Sequence, residues 1–189
     1  MIVLASNSPR RKQLLAKLTA DFVVVPSRCA EVTTAALPRD AAKELACHKA
    51  FDVFKHLPSD EQHNAVVVGC DTVVELDGKV LGKPSDEQQA KQMLAALSGR
   101  THFVHTGYAV FSDNAIYLGA VTTEVTFRKL SADEIADYVA SGAALDKAGA
   151  YGIQETDFAV VVYGSYDNVV GFPTEKIADI LRNLNALSD

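Results

Sequence analysis

The chain has 189 residues, of which 48% are hydrophobic, 7% aromatic and 22% charged. This composition supports a sizeable buried core and excludes an intrinsically disordered protein. The formal net charge of −6 argues against broad binding to a nucleic-acid polymer or a membrane surface. We therefore expect any basic cluster to serve a small anionic ligand.

The cysteines and the hydropathy pattern predict a cytoplasmic protein. Cys29, Cys47 and Cys70 form no CxxC pair and are odd in number, which favours reduced thiols. No run of about 18 apolar residues is present, and the N-terminal apolar run is too short for a signal peptide. The chain lacks internal repeats and linkers, so we predict one domain over residues 1–189, with room for two lobes around a cleft.

The first predicted elements are a short strand, residues 2–5, and a helix that follows it. Ser8 is a good N-cap, and the proline after it suits the first helical position. The next residues are cations, which oppose the positive end of the helix dipole unless an anion binds there. We interpret this turn as a phosphate pocket built from the helix N-terminus, the hydroxyls of Ser6 and Ser8, and the guanidinium groups of Arg10 and Arg11.

A second strand is predicted at residues 21–26, and a long helix at residues 38–55. Two charged side chains in this part of the chain leave alternatives open. Glu31, in the loop, is either merely exposed or part of a site. Lys49, in the helix, is either solvated or functional.

Residues 65–76 are the strongest prediction of a buried strand, and they contain the carboxylate of Asp71. An ionised carboxylate is costly in apolar surroundings, so Asp71 needs a cation, a hydrogen-bond network or a metal. The alternative is a bulge at Gly69 that turns Asp71 toward solvent. The Asp77-Gly78 pair predicts a hairpin that returns the chain to Lys83, close enough to Asp71 to share a ligand.

The second half of the chain mixes helices with long strands. The capping-box pair Ser131 and Glu134 predicts the start of one helix. The predicted elements are a helix from about residue 85 to 97, a hairpin of strands at 101–111 and 115–128, a helix at 132–139, a strand at 158–163 and a final helix to about 187. Together the elements predict an α/β (α+β) fold with a mixed, strongly twisted sheet.

Two histidines and one glycine-containing loop remain. His102 and His105 lie three residues apart in a strand, so they point to opposite faces and make a poor metal pair. We predict a structural or surface role for both. Residues 146–154, DKAGAYGIQ, would let the backbone approach a flat ligand, and the Gln154 amide offers an acceptor and donors to a pyrimidine edge. The alternative is an ordinary turn with a capping aspartate.

Six segments in combination resemble the Maf family of nucleoside triphosphate pyrophosphatases, which is named for septum formation. They are LASNSPRRKQLL, GCDTVV, LGKP, SGRTH, DKAGAYGIQ and VVGFP. The resemblance extends from the first strand to the final helix. It implies the fold shared with inosine triphosphate pyrophosphatases, in which helices flank a twisted sheet around a central cleft.

Within the family, the subgroup that acts on dTTP and UTP is the better match. That subgroup has an arginine directly after the SxSP element, a DT pair and an IQ pair. The corresponding residues here are Arg10, Asp71-Thr72 and Ile153-Gln154. The subgroup that acts on 7-methyl-GTP typically has tryptophan in place of the arginine. The resemblance therefore implies hydrolysis of dTTP and UTP to the monophosphate and pyrophosphate.

The resemblance also implies roles for single residues. It implies that Asp71 is the proton acceptor and that Arg10, Thr72 and Gln154 govern substrate choice. It implies phosphate or metal roles for Ser8, Arg11, Glu31, Lys49 and Lys83. We expect Glu31 and Asp71 to bind a divalent cation, Mg²⁺ or Mn²⁺, because hard cations prefer oxygen ligands.

Some expectations about function stay open. Cys70 stands where the family commonly has alanine or serine, and the segment after Gln154, ETDFAVVV, lacks the glycines usual there. A non-catalytic nucleotide-binding regulator of septation is one alternative, and a pyrophosphatase for modified pyrimidine nucleotides or 7-methyl-GTP is another. Relatives are often dimers, and the hairpin at 101–128 offers strand edges that a partner could cover, so we expect a homodimer.

Overall fold

The computed structural model describes residues 1–187. The helices and strands follow one another as β1 (Ile2–Leu4), α1 (Pro9–Ala16), β2 (Phe22–Val24), α2 (Pro38–His56), α3 (Ser59–Gln62), β3 (Val66–Leu76), β4 (Lys79–Leu81), α4 (Glu87–Leu97), β5 (Thr101–Phe111), β6 (Ile116–Phe127), α5 (Ala132–Ala140), β7 (Ala159–Tyr163), α6 (Tyr166–Val170) and α7 (Thr174–Asn183). None of the helices in residues 1–187 is both long enough and apolar enough to cross a membrane.

The strands form a single mixed sheet in the order β2-β1-β3-β5-β6-β7, and β4 pairs with the far end of β3. β1 is parallel to both β2 and β3, whereas the pairs β3–β4, β3–β5, β5–β6 and β6–β7 are antiparallel. The predicted α/β class with a mixed sheet is therefore confirmed.

Local sequence signals explain most of the helix boundaries. The Ser8 hydroxyl caps α1, and Ser131 with Glu134 forms the predicted capping box of α5. The pattern misses the short helices α3 and α6, which are too brief for an apolar period to register. It also places the end of α7 near residue 187, whereas the helix ends at Asn183.

Helices cover the two faces of the sheet unequally. On one face, α2 packs against β3 and β5 through small residues, Ala42, Ala46 and Ala50. On the other face, α1 and α7 bury one end of the sheet, and α4 and α5 bury the other end. α2 comes this close because Gly69 and Gly107 have no side chains: a Cβ on Gly69 would lie 2.7 Å from the Ala46 carbonyl oxygen.

Unequal strand lengths leave a gap at the edge of β3. β1 pairs with β3 only from Val66 to Val68, and β4 pairs with it only from Val74 to Leu76. Residues 69–73 therefore pair with neither strand on that side. α1 begins just beyond the end of β1, so its N-terminus lies beside this unpaired stretch, as is common for ligand sites in α/β proteins.

Replacement of Gly107 by alanine tests the close packing of α2. The new Cβ would overlap the Ala42 carbonyl group of α2, so Gly107→Ala should lower the free energy of unfolding by about 1–3 kcal/mol. Urea denaturation measures the change. Gly82→Ala is the control, because a Cβ there meets nothing within 4 Å. Equal stability of the two variants would contradict the packing argument.

Candidate active site

A cleft of about 340 Å³ opens at the unpaired stretch of β3. Its walls come from α1, α2, β3, the loop that holds Glu31, the segment after β4 and residues 146–154. Of the side chains assigned to the site from the sequence, all except Ser6 line it: Ser8, Arg10, Arg11, Glu31, Lys49, Asp71, Thr72, Lys83 and Gln154. Ser6 does not line the cleft, and its hydroxyl accepts hydrogen bonds from Ser8 N and Arg11 instead.

Lys49 joins the two carboxylates of the site. Its ammonium group lies 2.5 Å from Asp71 Oδ1 and 2.7 Å from Glu31 Oε1. The Asp71 residue is only 8% exposed, whereas Glu31 lies at the surface. The hydrogen bond from Lys49, aided by the charges of Lys49, Lys83 and Arg11, lowers the pKa of Glu31 despite partial burial. Lys49 is thus a member of the site rather than a solvated helix residue.

The structure excludes the bulge considered for Gly69. β3 and β5 pair without a break from Val67 to Glu75, and Asp71 lies opposite Gly107. Asp71 therefore points toward α2, where Lys49 meets it. Gly69 serves the close approach of that helix instead.

Arg11 is largely committed to the protein. It donates to the Gly171 carbonyl oxygen at 2.9 Å, to Thr72 Oγ1 at 3.2 Å and to Ser6 Oγ at 3.3 Å. Thr72 Oγ1 also lies 3.0 Å from Thr106 Oγ1. Arg11 therefore braces α1 against β3 and against the turn between α6 and α7.

Arg10 pairs across the cleft with the loop at residues 146–154. Its guanidinium group lies 3.2 Å from Asp146, and the same carboxylate lies 2.8 Å from Lys147. Lys147 is 7% exposed and lies 3.1 Å from Glu155. Although burial opposes ionisation, Lys147 and Arg10 lower the pKa of Asp146. Sequence reasoning missed this network, and the charged pair at the start of the loop was its one local signal.

The remaining predicted residues lie at the rim. Lys83 and Gln154 are both exposed. The two loops that hold them are linked, because Gly149 N donates to the Gly82 carbonyl oxygen at 3.1 Å. The segment after Gln154 turns directly into β7, and its Glu155 belongs to the network around Lys147.

Two carboxylates of the site, Glu31 and Asp71, could hold a cation that binds together with phosphate groups. Within residues 1–187, no three side chains among His, Cys, Asp and Glu form a metal cluster. Glu31 and Asp71 nevertheless converge on one positively charged group, the Lys49 ammonium. Mg²⁺ is commonly bound by one or two carboxylates together with water and substrate phosphates. This pair of carboxylates fits that pattern.

The two histidines lie outside the cleft lining and are buried, in agreement with a structural role. His105 contacts Glu75 at 2.7 Å and Thr122 at 2.8 Å. His102 contacts the Tyr151 hydroxyl at 2.8 Å from the opposite face of β5.

The family model described as Maf-like protein matches residues 1–184. The chain belongs to the Maf family. It is 47% identical over 179 residues to the dTTP/UTP pyrophosphatase of Thermococcus kodakarensis, an alignment that covers 94% of this chain and 93% of that protein. It is 41% identical to the dTTP/UTP pyrophosphatase of Aquifex aeolicus, with 99% and 97% covered, and 43% identical to that of Agathobacter rectalis, with 97% of each covered.

The fold of this Maf protein is also found in the Ham1 protein of Staphylococcus aureus. That solved structure matches with a TM-score of 0.53 and covers 97% of this chain and 98% of its own, at 17% sequence identity. At this identity, the likeness concerns the fold alone. It confirms the fold predicted from the sequence.

Removal of the Lys49 ammonium should destabilise the protein, because Asp71 would keep a buried charge without a partner. We expect Lys49→Met to lower the free energy of unfolding by about 1–3 kcal/mol. Adding Asp71→Asn to it should recover part of the loss. Urea denaturation of the single and double variants measures both effects.

Lys43→Met is the matched control, because Lys43 is also on α2 but is half exposed and pairs with Asp40 at the surface. Its stability should change by less than about 0.5 kcal/mol. If the Lys49 and Lys43 variants were equally stable, Asp71 would not depend on Lys49.

Proposed function

We propose that this Maf-family protein hydrolyses dTTP and UTP at the α-phosphorus and releases the monophosphate and pyrophosphate. The observation that carries the proposal is the buried Asp71, paired with Lys49, in a cleft that also presents Arg10 and Lys83. Relatives that are 41–48% identical over nearly the whole chain are named dTTP/UTP pyrophosphatase, which supports the same reaction here.

Neutralisation of the triphosphate is the first requirement of this reaction. Lys49, Lys83 and Arg10 spread positive charge along the cleft, and the N-terminus of α1 adds main-chain N–H groups and a partial positive charge. Ser8 offers a further hydroxyl at the same place. Phosphoryl transfer depends mainly on such positioning and charge stabilisation.

Asp71 is proposed to orient or deprotonate the attacking water. Its carboxylate is held by Lys49, and the cleft gives it access to a bound triphosphate. A divalent cation, Mg²⁺ or Mn²⁺, held by Glu31 and Asp71 would supply further charge neutralisation at the phosphate oxygens. Lys49 holds the two carboxylates close together. It thereby positions Asp71 to act on the water, and Glu31 and Asp71 to bind the cation.

Substrate choice is assigned first to Gln154, which lines the cleft from the loop at residues 146–154. The Gln154 amide can pair with the O4 and N3–H groups of thymine or uracil, because it offers one donor and one acceptor. An amide can flip, so a second group is needed to reject cytosine. Arg10 and Thr72, which line the same cleft, are our candidates.

We further propose that residues 1–189 act as one cytoplasmic Maf-like domain that assembles into a homodimer. The acidic net charge favours a small nucleotide over a nucleic-acid polymer or a membrane. Light scattering after size exclusion measures the assembly state, and a monomer at micromolar concentration would contradict the dimer.

Asp71→Asn should lower turnover about 10²–10⁴-fold, the usual contribution of a general base, while the fold is kept. Pyrophosphate release measures turnover, and circular dichroism checks the fold. Glu75→Gln is the control, because Glu75 is on the same face of β3 and is also paired, with His105, but lies outside the cleft lining. Near-normal turnover by Asp71→Asn would contradict the proposal that Asp71 orients or deprotonates the attacking water.

A substrate panel tests the proposed specificity. We expect dTTP and UTP to be hydrolysed well ahead of CTP, ATP and GTP, and we expect activity with Mg²⁺ or Mn²⁺ but not with a chelator. Release of pyrophosphate and monophosphate is measured for each nucleotide, with methylated pyrimidine triphosphates and 7-methyl-GTP included. If purine nucleotides were hydrolysed fastest, the proposed preference for dTTP and UTP would be wrong.

The same panel separates the enzyme from a nucleotide-binding regulator of septation. A regulator would form a stable complex with the triphosphate in the presence of metal, and no monophosphate would appear over hours. We favour the enzyme, because a buried carboxylate beside cationic phosphate ligands is required for hydrolysis but not for binding.

A further inference from the structure

Two side-chain polar atoms in residues 1–187 are buried without a hydrogen-bond partner: His102 Nδ1 and Asn168 Oδ1. His102 is 1% exposed and closes the SGRTH motif, which the chemistry of the cleft leaves unexplained. An unpartnered buried polar group costs about 1–3 kcal/mol, and leucine would avoid that cost. The backbone of Arg100 is near enough to the imidazole to oppose part of the effect of burial on the pKa of His102, and the close side-chain contact of the ring is made by its other nitrogen.

That nitrogen, Nε2, lies 2.8 Å from the hydroxyl of Tyr151. Tyr151 is 5% exposed, and its ring meets Phe127 edge to face at 4.7 Å. It also lines the cleft, three residues before Gln154. Burial lowers the pKa of His102 to about 4 and raises the pKa of Tyr151, so both groups are neutral near pH 7.

The loop around Tyr151 has a conformation that needs support. Gly149 and Ala150 both have left-handed backbone angles, with φ of 68° and 63°. For Ala150 this conformation costs about 1–2 kcal/mol. Packing against the sheet holds part of the loop, since Gly149 lies against Val74 of β3 and the Tyr151 ring against Phe127 of β6. Hydrogen bonds also reach the loop from the segment after β4 and from α5, since Gly149 N donates to the Gly82 carbonyl oxygen and Gly152 N to the Tyr138 hydroxyl. The bond from His102 ties the loop to β5, in the middle of the sheet.

We propose that His102 is a positioning residue for substrate choice. Through the Tyr151 hydroxyl it sets the height of residues 151–154 above the sheet, and hence the place at which Gln154 meets the base. The inference rests on the proposed function, because it deepens the role given to Gln154. His102 itself does not line the cleft.

The test compares His102→Leu, His102→Gln and Tyr151→Phe. The measured quantity is the ratio of kcat/KM for dTTP to kcat/KM for CTP, because the folded fraction cancels from it. Loss of one hydrogen bond should reduce this ratio about three- to tenfold in His102→Leu and in Tyr151→Phe. His102→Gln places an amide near the position of Nε2 and should keep most of the selectivity.

The double variant His102→Leu/Tyr151→Phe separates positioning from simple stability. Removal of both partners leaves neither half of this hydrogen bond buried alone, so its stability should stay close to that of the wild type. Its selectivity should nevertheless be as low as that of either single variant. A double variant that is stable and fully selective would overturn the proposal.

His105→Leu is the matched control, because His105 is a buried histidine on the same strand whose partners, Glu75 and Thr122, lie outside the cleft lining. It should keep the dTTP to CTP ratio even if stability falls. An unchanged ratio in His102→Leu would overturn the proposal. A fall of the dTTP to CTP ratio in His105→Leu as large as that in His102→Leu would also overturn it.

Amide hydrogen exchange gives a readout that does not depend on turnover. Residues 146–154 should exchange faster in His102→Leu and Tyr151→Phe than in the wild type, and not in His105→Leu. Unchanged exchange would overturn the proposal. If the wild-type protein showed no turnover but residues 146–154 exchanged faster in His102→Leu, the proposed function would be contradicted. The role of His102 in holding this loop on β5 would still be supported.

Discussion

The ion pair between Asp71 and Lys49 is the interaction on which the rest of the site depends. A carboxylate in the middle of the central strand would be costly to bury alone, so a cation has to reach it from a neighbouring element. α2 provides that cation, and it can do so because Gly69 and Gly107 leave its backbone room to approach the sheet. The small residues of β3 and β5 thus serve the chemistry of the cleft as well as its packing.

The geometry of the sheet explains why the charged groups meet where they do. β3 extends far beyond β1, and the unpaired stretch that results faces the N-terminus of α1. The protein is acidic overall, yet Arg10, Lys49 and Lys83 gather at this one place. Opposite charge concentrated in a cleft attracts anionic ligands and holds them better than a uniform surface does.

Three residues near the cleft are held in arrangements that cost free energy. His102 Nδ1 and Asn168 Oδ1 are buried without partners, and Ala150 has a left-handed backbone. Each of these features lowers stability. His102 contacts the loop at residues 146–154, Ala150 belongs to that loop, and the Asn168 side chain bonds β5 and β6 through Val104 and Thr123. Proteins commonly tolerate such costs where side chains must be held in a fixed place for function.

The sequence by itself determined the longer helices and strands and the need for a partner at Asp71. Caps such as Ser8 and Ser131, and the apolar run of β3, are local signals, so they can be read without the fold. The family motifs further pointed to the residues that line the cleft. Only the tertiary structure decided which groups pair: Lys49 with Asp71, Arg10 with Asp146 and His102 with Tyr151. Such pairings join distant parts of the chain, and they depend on how strands align and how closely helices pack, which no local pattern encodes.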